Sequence, residues 1–387
     1  MYNPEFDDIR PLNGDEIKPT AEELLHDRRF MTVLHGLVPL PKAVLRGAVR
    51  MMLWGVKDTQ QFQVRFIKPL VNYIRRTTCT ASSFGYDPSL KKDGRYVFMS
   101  NHRDIVLDSA FLDVLLLEKK FERTVEIGIG DNLLIYPWIK KLVKMNKAFV
   151  VKRGLSPKEM LRSSQVMSQY MHYAINEKRE NIWIAQREGR AKDSDDRTAE
   201  AILKMFCMGA EGSVIERLKH LNIVPLTISY EYDPCDYLKA EEFQCKRDIP
   251  GWKKSKQDDL DNMKTGIFGK KGGLHYEAAP CINDWLDTLP PDMPKQEIFA
   301  AVAKHIDGEI HSRYRIYPGN WIALDELEGT PGKHSDKYSD KDKVTFETYI
   351  TDRISKVKME TPDIPFLRER LLTMYANPLK NYLSTKK

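Results

Sequence analysis

Between Arg95 and Tyr230 the chain alternates short apolar runs with stretches of helical period, and this constrains the fold of the 387 residues more than any other feature. Tyr96–Ser100, Val125–Gly130, Ala148–Lys152, Ile182–Gln186 and Ile223–Tyr230 have the length and composition of buried strands. Helical segments lie between them. The clearest runs from Pro157 to about Lys178: Ser156 is placed to cap it, proline takes the first helical position, and Glu159 completes a capping box. Met160, Ser164, Met167, Met171 and Ala174 then follow at 4-3-4-3 spacing, which predicts a core stripe. Strands alternating with helices define an α/β class, with a layered central sheet flanked by helices over residues 85–285.

The flanks differ from this domain. Residues 1–27 are acidic and polar, and predict a loosely held arm followed by a short helix. Residues 28–84 form a basic amphipathic helical segment: Arg28 to Thr78 holds ten Lys and Arg against one acid, Asp58. Leu45, Val49, Met52 and Leu53 share a helical stripe there, Arg46 and Arg50 lie on another face, and Trp54 ends the run. Such a helix can lie in a lipid headgroup layer or pack its stripe on the domain, and both readings stand. Residues 286–387 predict a helical coda. Ile298, Val302, Ile306 and Ile310 line one face of Lys295–Tyr314, and further helical patterns cover 344–358 and 365–383. The charged stretch 327–343 reads as a mobile loop.

Composition narrows the class. Apolar residues at 42% allow a large core, while an excess of six cations is too small for a dedicated nucleic-acid binder. Cys79, Cys207, Cys235, Cys245 and Cys281 are odd in number and contain no C-x-x-C pair. Neither a disulfide framework nor a cysteine metal site is expected, and a reducing compartment fits better. The acidic start has no apolar signal-peptide core, and no run approaches the ~20 apolar residues of a membrane span. A soluble or peripheral protein is expected.

The chemistry concentrates in Ser100-Asn101-His102-Arg103-Asp104-Ile105-Val106-Leu107-Asp108, which follows a strand and opens an apolar helix. A histidine at such a turn lies at the carboxyl edge of the sheet, where α/β ligands bind. A nearby carboxylate would hold its tautomer and favour the imidazolium, as a general base requires. His-Arg-Asp-Ile also looks like a kinase catalytic loop, but Ser109 stands where that loop has asparagine and no Asp-Phe-Gly follows. Two other strand ends deliver cations, at Lys152-Arg153 and at Arg187-Glu188-Gly189-Arg190-Ala191-Lys192. Gathered near His102, they would suit a phosphate-bearing substrate.

In this order the segments resemble the glycerolipid acyltransferase family, whose members act on glycerol-3-phosphate and on 1-acylglycerol-3-phosphate (lysophosphatidic acid). The family carries a His-x4-Asp block, a Gly-x-Phe-Phe-Ile-x-Arg block, a Phe-Pro-Glu-Gly-Thr-Arg-Ser block and a Val-Pro-hydrophobic block. They look like His102…Asp108, Ala148–Arg153, Arg187–Lys192 and Ile223–Ser229 here. Gly130–Leu134 and the basic glycine-rich turn Gly269–Tyr276 look like the glycerol-3-phosphate branch. The chain departs in two places. Asp108 is six residues after His102 where the family has five, so the extra residue must be absorbed in the turn, and Asp104 is an alternative partner. The third block also lacks the family threonine, which leaves Arg190 and Lys192 as candidates for its arginine.

The resemblance implies transfer of a fatty acyl group from acyl carrier protein or coenzyme A to a hydroxyl of a glycerol-phosphate-type acceptor in phospholipid biosynthesis. His102, oriented by Asp108, would be the base. Arg153, Arg190, Lys152, Lys192, Glu188 and Gly189 would form the phosphate site. No bound cofactor or metal is implied, and the enzyme would be cytoplasmic, peripheral on the inner face of the cell membrane. Two alternatives remain: another lipid hydroxyl as acceptor (a lysophospholipid or a hydroxylated amino-acid lipid), or a non-catalytic membrane-surface protein on the same fold.

Overall fold

The apolar runs pair into one sheet. In a computed structural model that describes residues 3–386, seven strands are present: β1 (Cys79–Tyr86), β2 (Val97–Ser100), β3 (Val125–Gly130), β4 (Ala148–Val151), β5 (Asn181–Ala185), β6 (Ile223–Tyr230) and β7 (Gly272–Ala278). Their order is β1-β7-β6-β2-β5-β3-β4. β2 to β6 are mutually parallel, while β1 and β7 run the other way. The five expected strands thus share one carboxyl edge. β2 lies at the middle, with Ser100 opposite Ala185 of β5 and Leu226 of β6. Alternate residues of β2 serve the two faces. Val97 and Met99 pack with Met171 and Ile306 on one side, and Phe98 packs with Phe111 and Val224 on the other.

The helix Pro157–Asn176 carries the expected capping box between Ser156 and Glu159. Its methionine stripe is core only in part. Met171 and Ala174 are buried, Met167 packs against the core, but Met160 is 47% exposed beside an exposed Leu161. The first turns of the helix are exposed and its buried residues begin at Ser168, so period alone over-extended the stripe.

The N-terminal arm departs from expectation as well. A short 3-10 turn, Pro4–Asp8, seats Phe6 at 1% exposure, with its ring edge-on to Tyr170 at 5.3 Å. The Val150 N–H of β4 then donates to the Ile9 carbonyl at 2.9 Å. Two apolar anchors three residues apart suffice to dock an otherwise acidic segment, which covers the open edge of β4.

In the basic segment, helices Arg28–Leu37 and Lys42–Leu53 pack with Gly14–His26 around Leu24, Phe30, Leu45, Val49 and Phe62. The Leu45–Val49 stripe therefore packs on the protein. The opposite face stays in solvent, with Val33, Val38, Leu40, Val44, Met51 and Trp54 exposed, the last two at 75% and 83%. The segment ends in β1, which belongs to the sheet. The C-terminal helices Pro318–Leu327, Asp340–Ser355 and Ile364–Ser384 share a further core around Leu324, Ile350, Leu371 and Tyr375. The loop expected to be mobile is tied down, because the Asp325 carboxylate meets the backbone N–H and ring of His334 and the hydroxyl of Tyr338. The five cysteines are free thiols. Among the described residues, no helix is long and apolar enough to cross a membrane.

Candidate active site

The chain after β2 is pinned before it becomes helix. Asn101 acts as a side-chain rung of the sheet: its amide donates to the Ile228 carbonyl at 2.9 Å and accepts the Ile228 N–H at 2.8 Å. Trp183 of β5 donates its indole N–H to Ser100 Oγ at 2.9 Å and sets its ring against the edge of His102, centroids 5.5 Å apart. These two contacts fix the direction in which His102 leaves the sheet.

His102 Nδ1 meets Asp108 Oδ2 at 2.8 Å. The same oxygen accepts the backbone N–H of Arg103 at 2.6 Å and of Asp104 at 3.0 Å, so the turn wraps around the carboxylate and absorbs the six-residue spacing. The other oxygen accepts the Tyr230 hydroxyl at 3.0 Å. Asp108 is fully buried and its lone pairs are used by donors, which fixes its orientation toward His102. With a carboxylate as partner, Nδ1 carries the proton and Nε2 keeps its lone pair. Asp104, the alternative partner, has a different task. Its Oδ1 accepts the N–H groups of Val106 and Leu107, both at 2.8 Å, which caps the helix Leu107–Glu118. Burial, then the charge of Asp108, push the Asp104 carboxyl above its ordinary range.

Arg103 turns away from this pair into the protein, where Asp196 Oδ2 meets its guanidinium at 2.6 Å and also accepts the Tyr314 hydroxyl at 3.1 Å. The ion pair sits beneath the turn and braces it.

The strand-end cations do not form one cup. Arg153 follows β4, three strands from β2 and hence about 14 Å across the sheet. Its Nη1 reaches Glu188 at 3.1 Å. Gly130 makes room for this crossing, since a Cβ there would lie 2.7 Å from Arg153 Nε. Gly189, at φ +70°, turns the chain so that Glu188 and Arg190 go to different neighbours. Arg190 donates to Asn262 at 3.0 Å, and its Nη1 is buried without a protein partner. Lys192 contacts Glu242, and Lys152 turns outward to Asp8 at 3.3 Å. The structure therefore brings together Arg153, Glu188 and Gly189, places Arg190 and Lys192 on the β6 side, and leaves Lys152 with the N-terminal arm.

Residues 85–229 match the family model described as Acyltransferase, a span that contains His102, Asp108, Arg153, Glu188, Arg190, Trp183 and most of β6. Over this span the α/β domain is similar to the acyltransferase family, and the match supports an enzyme that transfers acyl groups. Among solved structures, the 1-acyl-sn-glycerophosphate (LPA) acyltransferase PlsC from Thermotoga maritima is similar at 11% identity, over 77% of this chain and 99% of that one, with a TM-score of 0.40. No curated protein sequence matches the chain.

Proposed function

We propose that this enzyme moves a fatty acyl group from a thioester of coenzyme A or acyl carrier protein to a hydroxyl of glycerol-3-phosphate or 1-acylglycerol-3-phosphate. The observation that carries this reading is the His102–Asp108 pair, buried at the carboxylate and with Nε2 available at the carboxyl edge of the sheet. The acceptor hydroxyl donates its proton to Nε2 as its oxygen attacks the thioester carbon. The new C–O bond forms, the C–S bond breaks as the tetrahedral adduct collapses, and the imidazolium returns the proton to the departing thiolate. Asp108 stabilises the imidazolium between those steps. No enzyme nucleophile is needed, because the acceptor attacks directly.

Arg190, whose buried Nη1 has no protein partner, holds the acceptor phosphate in this scheme, while Arg153, paired with Glu188 on the β4 side, stands apart from it. Fixing the phosphate places the hydroxyl near the base. Lys152 has no role in it, since its partner is on the arm. Label transfer from acyl-CoA and from acyl carrier protein, offered with each acceptor in parallel, tests the reading. Product with neither acceptor in the presence of lipid would sink it.

Tyr230 acts through Asp108 as a positioning residue. Burial, then Tyr276 and Asp108, push its hydroxyl well above the ordinary range, so it remains a donor. A hydrogen bond to a charged group contributes ~1.5–3 kcal/mol. Tyr230→Phe should therefore lower kcat by roughly tenfold with little change in acceptor KM. Equal rates for the variant and the wild type would remove Tyr230 from the scheme.

The exposed face of Val33, Val38, Leu40, Val44, Met51 and Trp54 is assigned to a membrane surface, with Lys42 exposed at the start of the second helix and Lys57 in the loop after it to meet anionic headgroups. This would keep the enzyme on the inner face of the cell membrane, where a lipid product belongs. The double variant Met51→Asp/Trp54→Ala should bind anionic vesicles about tenfold more weakly, equivalent to ~1.4 kcal/mol. Sedimentation with phosphatidylglycerol vesicles measures this, and unchanged binding would reject the assignment.

A further inference from the structure

Both substrates of the proposed reaction carry phosphate, yet the acceptor phosphate takes only Arg190. A second group of cations stands on the β6 side. Glu242, on the helix Asp236–Asp248, is nearly buried, and its Oε1 is shared by Lys192 and by Lys246, the latter at 3.0 Å. Lys254, in the loop before the helix Lys256–Phe268, is held by Asp259 at 2.6 Å. Burial first, then the charges of Lys246 and Lys254, push the Lys192 ammonium down to about 7. Lys192 is thus crowded by like charge, with Arg190 adding to it. An anion seated among these side chains would relieve the repulsion.

The position of the group relative to the base matters. The Lys256–Phe268 helix presses on the catalytic turn, for a Cβ at Gly266 would lie 2.2 Å from Asp104 Oδ2. Lys254 precedes the far, N-terminal end of that helix, and the side chains of Lys192, Lys254 and Lys246 are 30%, 23% and 53% exposed. An acceptor phosphate, only a few bonds from its hydroxyl, has to lie inside the site. A rim position suits a phosphate separated from the reacting carbon by a long arm. We propose that Lys192, Lys246 and Lys254 form a second anion subsite that takes the phosphate of the thioester donor's pantetheine arm. The proposal rests on the acyl-transfer reading, and it names the donor side of that site.

The probe is coenzyme A, measured by calorimetry on the full chain, with Lys246→Glu/Lys254→Glu as the variant. Both side chains reach solvent, so the fold should persist, and a thermal melt checks it. The variant should bind coenzyme A at least tenfold more weakly, and its KM for acyl-CoA should rise at least fivefold while the KM for glycerol-3-phosphate stays within twofold. Acyl-pantetheine, the same thioester without phosphate, should give one KM in both proteins. A shift confined to acyl carrier protein would identify its phosphopantetheine as the occupant. Binding to the wild type should also take up protons near pH 7, because an anion beside Lys192 raises its proton affinity within the group formed by Arg190, Lys246, Lys254 and Glu242. Equal coenzyme A and carrier-protein affinities in variant and wild type, or a rise in acceptor KM alone, would overturn the proposal. A wild type that binds coenzyme A but transfers no acyl group would fail the reaction and leave the subsite standing.

Discussion

His102→Ala is expected to slow acyl transfer by about 10²- to 10⁴-fold, the range that a positioned general base contributes. The fold should survive. Asp108 loses one of four donors, but the N–H groups of Arg103 and Asp104 and the Tyr230 hydroxyl still satisfy its carboxylate. His102 is itself 14% exposed, so truncation admits water where the ring stood. The comparison to make is single-turnover transfer beside a thermal melt. A variant within tenfold of the wild-type rate would mean that the proton leaves the acceptor by another route. A collapsed melt would mean that the ring is structural.

The second large effect is on stability. Asp196→Ala leaves the Arg103 guanidinium buried without its carboxylate, and Asp196 also accepts the Tyr314 hydroxyl. Removing one member of a buried pair costs about 3–5 kcal/mol. Replacing both members with apolar groups, as in Arg103→Met/Asp196→Leu, should recover much of that loss, since no uncompensated charge remains. Urea unfolding of the two variants distinguishes a stranded charge from a general packing defect. If the double variant is as unstable as the single one, the pair is not what holds the turn. Activity should fall with stability in Asp196→Ala, because Arg103 and His102 are adjacent in the same turn.

The parts of this fold that could be read from the chain are those written locally. The five parallel strands are short apolar runs, and β2 to β6 fall within a residue or so of their expected bounds. β1 escaped notice because Cys79–Tyr86 is built from small and polar residues, of which only Phe84 is buried, so no run or alternation marks it. His102 was legible as a histidine at a strand-to-helix turn. Its partner Asp108 was named from the family resemblance, with Asp104 as the alternative, because helical period says nothing about how a turn wraps a carboxylate; the hydrogen bonds separate the two. The cations illustrate the same limit. Their places at strand ends could be inferred, but Lys152 meets Asp8 and Lys192 meets Glu242, partners far away in the chain. Asn101, Trp183 and Tyr230 carried no pattern at all, since each acts through a residue on another strand.

The docking of Phe6 and Ile9 on the border of the sheet bears on how the chain is made. The arm is translated long before its seat: Val150 and Tyr170 follow about 140 and 160 residues later, and the intervening chain must close as a loop at an entropic cost that rises with its length. Until then β4 presents unpaired N–H and C=O groups to the surroundings. Nascent chains are therefore most exposed to edge-to-edge association after β4 has formed and before the arm returns. Phe6→Ser should lengthen that interval, with more aggregate during synthesis even where the purified enzyme has a normal rate.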